Sequence, residues 1–135
     1  MTSLSACSQG VSKEDYISDV NQLCAEARDD LDAYEESLRG ATSVDEVRAA
    51  VREGRTVFER FHDELAALDK PEQDRRTLDV WLSELDDVVD LLRRLEEATA
   101  SGDLDEIEQV TQEAESAQAE SDRLATEYGV ESCAR

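Results

Sequence analysis

The chain has 135 residues, enough for one domain that buries a core without a metal, and its 5 Gly and 1 Pro exclude the turn-rich pattern of a sandwich or barrel. With 35 acidic against 14 basic residues its formal charge is -21, which repels phosphate backbones and anionic head groups and excludes direct nucleic-acid binding. The charges fill helix positions outside the apolar seams, so the plain reading of the acidity is a solvated outer surface; a DNA-mimicking face or adaptation to high salt would give the same composition.

Residues 1–11 are short and polar after Leu4 and promise no packed element. Leu4-Ser5-Ala6-Cys7 resembles the lipobox of bacterial lipoproteins, where small residues admit the signal peptidase and the cysteine takes a lipid. That resemblance makes Cys7 the first mature residue and Ser8 to Val11 a tether. Six residues before Cys7 hold neither a basic start nor an apolar run, so either a longer precursor or a trimmed chain stands behind the match, or the tetrapeptide is a coincidence. A true start at Met1 would instead leave the protein in the cytoplasm.

Residues 12–135 read as one all-α unit with helices at about 13–39, 44–69, 72–100 and 104–128. The first opens at Ser12, with Asp15 in the acidic position of a capping box, and ends near Gly40. Its apolar line, Ile17, Val20, Cys24, Ala27, Leu31, Tyr34 and Leu38, alternates spacings of three and four and turns Cys24 inward. Ser43 to Glu46 is a cleaner capping box for the second helix, whose seam runs Val44, Val47, Val51, Gly54, Phe58, Phe61, Leu65 and Leu68. Gly54 costs helix propensity but permits a close neighbour, with Trp81 as the expected one.

Pro71 stops the second helix and suits the first turn of the third. The third carries the widest stripe, from Leu78, Trp81 and Leu82 to Leu92 and Leu95, and should supply most of the core. Ser101-Gly102 breaks it, and Asp103 to Glu106 caps the fourth. The fourth seam has small residues at Ala114, Ala117 and Ser121, so the weakest packing is expected there. Gly129 and Val130 fit a Schellman terminus.

Short connections make this an antiparallel up-down-up-down four-helix bundle, with the end of the fourth helix beside the start of the first. Residues after Tyr128 then span roughly 16 Å if extended, against roughly 17 Å of helix rise to Cys24. A folded-back tail can therefore bring Cys133 to Cys24, closing a loop of about a hundred residues. Three cysteines become an even pair once one is assigned to a lipid. Tyr16, Leu23-Cys24-Ala25 and Tyr128 to Cys133 are similar to the matching patches at the two ends of a group of small actinobacterial secreted or lipid-anchored helical proteins. The resemblance covers the chain ends and not the middle. It implies an extracytoplasmic helical protein with a terminal disulfide, and brings no activity with it.

Reactive chemistry is not evident. His62 is the only histidine and forms a Glu-x-x-His spacing with Glu59, but a di-iron bundle needs a second such pair and two more inward glutamates. Neither a nucleophile elbow nor a phosphate-cradling loop is present, so no catalytic residue, metal ligand or cofactor is expected. Asp90 with Arg94 and Arg93 with Glu97 have the spacing of surface pairs. The first reading is thus a non-enzymatic, extracytoplasmic bundle held at the membrane by lipid on Cys7, contacting envelope proteins through its acidic surface. The alternatives are a cytosolic acidic adaptor or DNA mimic, and a small-ligand carrier with an apolar cavity near Gly54, Ala114 and Ala117.

Overall fold

The computed structural model describes residues 10–134. Four helices, α1 (Lys13–Gly40), α2 (Val44–Ala67), α3 (Arg75–Ser101) and α4 (Leu104–Tyr128), form the all-α bundle that the seams predict. Ser12, Ser43 and Asp103 each accept the backbone amide three residues on, at 3.1, 3.2 and 3.1 Å, and so satisfy donors left free at a helix start. In the α2 box the Glu46 carboxylate reaches past the cap and accepts from the amide and hydroxyl of Thr42, at 2.6 and 3.0 Å. These bonds, led by the Thr42 amide, hold its pKa below the usual carboxylate range.

Two glycines end helices in the left-handed region, Gly102 at φ 71° and Gly129 at φ 104°. At Gly129 the termination is a full Schellman motif, with Val130 N–H donating to the Ala125 carbonyl at 2.9 Å and Gly129 N–H to Thr126 at 3.2 Å. Val130 is turned back and buried as expected.

The third helix starts later than its sequence implies. Pro71 accepts from Asp74 N–H at 3.0 Å and opens a 3-10 turn at Glu72–Asp74, so α3 begins at Arg75 and not at 72. Asp74 stands at the N-cap but makes no capping bond with its side chain, because its carboxylate accepts from the Tyr128 hydroxyl at 2.9 Å. The turn is thereby tied to the end of α4.

Buried side chains form two clusters. One, around Tyr16, Val20, Leu65, Leu78, Trp81 and Tyr128, lies at the end where the tail folds back; the other, around Val51, Phe58, Val88, Leu92 and Val110, lies toward the opposite end. Every apolar residue expected on the α3 stripe is buried, from Leu78 to Leu95. The seams of the other helices fray at the far end, where Leu38, Val44 and Leu104 are exposed at 36%, 50% and 73%, since terminal turns have no neighbour to cover them. Tyr16, absent from the α1 seam, is 1% exposed and more deeply placed than Ile17.

Gly54 does lie on a close contact, but its neighbour is Tyr34 and not Trp81. A Cβ at Gly54 would fall 2.5 Å from Tyr34 Cε2, so the ring of α1 occupies the notch that the glycine leaves in α2. The charged surface is stitched between helices: Glu96 accepts from Arg52 and Arg55 at 2.8 and 3.1 Å, joining α2 to α3. Arg94 leaves Asp90 to Arg93 and instead crosses to Glu106 and Glu113 of α4, because those carboxylates face it across the helix pair.

Candidate binding cleft

Backbone approach within 8 Å links α1 to α2, α2 to α3 and α3 to α4, but not α1 to α4 among the described residues. The fourth side of the bundle is joined at one end. There Tyr16 meets Tyr128 edge to face, with ring centroids 6.0 Å apart and planes at 85°, and Lys13 Nζ stands 4.5 Å from the Tyr128 ring centre. Burial first, and then the Asp74 bond, raise the Tyr128 phenol pKa, while burial and the nearby Asp79 push that of Tyr16 up to about 12. The Tyr16 hydroxyl is buried without a hydrogen-bond partner among the described residues.

Next to this contact the tail crosses from α4 to α1 in a 3-10 turn, Glu131–Cys133. Arg28 donates to the Ser132 carbonyl at 3.1 Å, and the Ser132 hydroxyl bonds the Asn21 side-chain oxygen. Cys24 and Cys133 meet as a disulfide pair with Cα atoms 5.2 Å apart. The spacing suits an unforced bridge. Cys7 lies outside the described residues.

Between the strap and the far end, α1 and α4 stand apart over a cleft. Its first chamber, about 570 Å³, is walled by Ala27, Leu31, Phe58, Phe61, Trp81, Leu85 and the disulfide. The second, about 580 Å³, continues along Tyr34, Leu38, Val51, Val88, Leu92, Leu95, Ile107 and Ala114, and the two share Glu35, Phe58 and Gln118. Small α4 residues make this room: Ala114 and Ala119 line the second chamber, and Ser121 lines the first and accepts from Trp81 Nε1 at 3.2 Å. Of the three small residues expected around a cavity, Ala114 borders the cleft, Ala117 faces the outer α3–α4 groove, and Gly54 is filled by Tyr34.

The mouth is acidic. Asp32 and Glu35 on α1 and Glu115 and Asp122 on α4 line it, against the guanidinium of Arg28. Burial and then the Glu35 charge raise the Tyr34 phenol pKa, as expected at an apolar site edged by carboxylates. The outer groove between α3 and α4, about 880 Å³, differs in kind: it is edged by Glu84, Asp87, Glu113 and Glu120 with Arg94 and Arg123. There burial, then Asp87 and Glu120, raise the Glu84 pKa.

The Glu59–His62 spacing does not make a ligand pair. Glu59 accepts from Arg55 and Arg93 at 3.0 and 3.2 Å, whereas His62 turns to Asp63 at 3.3 Å. Among the described residues no group of three or more His, Cys, Asp or Glu is arranged to hold a metal ion. Nor is any described helix long and apolar enough to cross a membrane.

Fold and cleft together define a four-helix bundle with an apolar slot between its first and last helices, strapped at one end by a disulfide. No protein-family model, curated protein or solved structure matches the chain.

Proposed function

We propose that this chain is a non-enzymatic, extracytoplasmic binding protein, tethered at the cell envelope by lipid on Cys7 and acting through contacts with envelope proteins. The meeting of Cys24 with Cys133 carries the reading. Structural disulfides persist in oxidising compartments, and pairing these two leaves Cys7 as the unpaired third cysteine, inside the Leu4-Ser5-Ala6-Cys7 lipobox-like sequence. The end patches that resemble small actinobacterial lipid-anchored proteins agree with this. The acidic outer faces are the surfaces offered to partners, which would need a basic complement.

Mass spectrometry of the protein from its native cells tests the proposal. A mature chain beginning at an acylated Cys7, with two thiols that alkylate only after reduction, is the expected result. An intact chain beginning at Met1 with three alkylatable thiols overturns it and favours a cytosolic acidic adaptor. A second reading, carriage of a small ligand, is favoured by the open cleft between α1 and α4.

A further inference from the structure

Among the described residues, three of the four exposed large apolar side chains, Leu38, Val44 and Leu104, gather at the end of the bundle away from the disulfide. They come from three different helices and converge on one place. Leu38 borders the far chamber together with Val47 and Ile107. Val44 and Leu104 each stand three residues ahead of one of these, on the same helix face and one turn further out. The half-buried edge of the chamber thus continues outward as an apolar surface, built from the last turn of α1 and the first turns of α2 and α4.

This surface projects and encloses nothing. Leu104 is 73% exposed, so a small molecule lying on it would leave it largely in water; only another macromolecular surface removes its apolar area from solvent. The charge beside it selects among such surfaces. On α4, Asp105 and Glu115 are exposed and accept from no donor among the described residues, while Glu108 accepts from the neutral amide of Gln112 at 3.4 Å. Arg39 and Arg48, at the same end, are engaged with the Glu35 carbonyl and with Asp45. A second copy brings its own charge of -21 to the contact, and an anionic membrane repels the chain likewise. A basic surface carrying apolar side chains meets attraction on approach and burial on contact.

We propose that the surface of Leu38, Val44 and Leu104 docks a basic, apolar-faced helix of a partner protein, with Asp105, Glu108 and Glu115 meeting its lysines or arginines. This deepens the reading that the chain acts through protein contacts and rests on it, independently of lipid on Cys7. It places the contact at the end of the bundle opposite the start of α1.

A synthetic helix of leucine and lysine, its leucines on one face and a fluorophore at its end, serves as the probe in anisotropy titrations of the purified, oxidised protein. Saturable binding is expected. Leu104→Ser and Val44→Ser keep the charge and remove apolar area, and each weakens binding about fivefold. A peptide of the same composition, scrambled so that its leucines share no face, binds about tenfold more weakly. Asp105→Asn with Glu115→Gln weakens it severalfold and flattens its dependence on salt. Val80→Ser, at the fourth exposed apolar residue near the start of α3, stands at the opposite end and leaves binding unchanged. All these positions are exposed, and circular dichroism checks that the helices persist in each variant.

Binding that survives both serine variants and disappears in high salt is attraction by the acidic faces at large, which overturns this surface while the reading of partner contacts stands. Absence of binding to the basic helix overturns both. A dimer in sedimentation, or adsorption to neutral phosphatidylcholine vesicles, that Leu104→Ser abolishes assigns the surface to a second copy or to lipid and overturns the proposal.

Discussion

Gly54 offers the most discriminating test of the packing. Alanine there gains about 1 kcal/mol of helix propensity, so on local grounds Gly54→Ala stabilises α2. The added methyl carbon, however, would stand 2.5, 2.6 and 2.8 Å from three carbons of the Tyr34 ring. Ordinary carbon contacts begin near 3.5 Å, so the ring must retreat by roughly 1 Å, and it is packed against the Val51–Phe58 cluster. Overpacking of that kind costs about 1–3 kcal/mol. The net expectation is a loss of about 1 kcal/mol, which is a fall of about 4 °C in Tm for a chain of this size. In a Tyr34→Ala background the obstacle is gone, and the same Gly54→Ala change should stabilise by up to about 1 kcal/mol. Urea unfolding of the four proteins of this double-mutant cycle, followed by circular dichroism, reads the sign reversal as a coupling of about 2 kcal/mol. Gly54→Ala stabilising the parent chain, or changing it equally in both backgrounds, would refute the reasoning.

Reducing the Cys24–Cys133 bridge opens a loop of 109 residues, and the chain-entropy model sets the loss at about 4–5 kcal/mol as an upper figure; urea midpoints with and without reductant check it, and coincident curves would contradict a formed bridge. A formal charge of -21 implies self-repulsion that added salt screens, so Tm should rise with sodium chloride; a flat response would count against it. Tyr16→Phe removes a hydroxyl buried without a partner among the described residues and should leave stability unchanged or raise it by up to about 1 kcal/mol, as thermal unfolding will read. The Tyr16 phenol is raised from 10.0 to about 12 in the fold by burial and Asp79. The fold therefore disfavours the phenolate, so this group leaves stability untouched below pH 10 and lowers it as the pH rises from 10 through about 12. Ultraviolet titration should find late phenols, since those of Tyr34 and Tyr128 are raised too, and Tyr16→Phe should remove one of them.

Helix limits were legible because the chain writes its own stops. Ser12, Ser43 and Asp103 cap where their spacing to the next carboxylate says they should, and Gly102 and Gly129 take the positive φ that ends α3 and α4. The start of α3 was less so, since Asp74 is drawn away by Tyr128, a residue 54 positions distant. The same limit governs packing. A seam names the face that turns inward but not the side chain opposite, which depends on helix crossing and register; hence Gly54 was recognised as a close approach while its neighbour was not. Cys24 and Cys133 could be paired in outline because antiparallel connections bring the chain ends together. The cleft was only hinted at: of Gly54, Ala114 and Ala117, expected around a cavity, Ala114 alone borders it, for its floor of Phe58, Trp81 and Leu92 belongs to other helices. Tyr16 stands four residues before Val20 on the buried face of α1, where the alternating spacing pointed equally well to Ile17, and its ring meets that of Tyr128.

The disulfide also decides how the molecule carries tension. A pull applied between the two chain ends runs along the first turns of α1 to Cys24, crosses the sulfur bridge and leaves through Cys133. Residues 25–132 lie outside that path. The load thus falls on the segment ahead of Cys24, which carries Tyr16 and Val20, and bypasses the rest of α1 and all of α2, α3 and α4, on which the cleft is built.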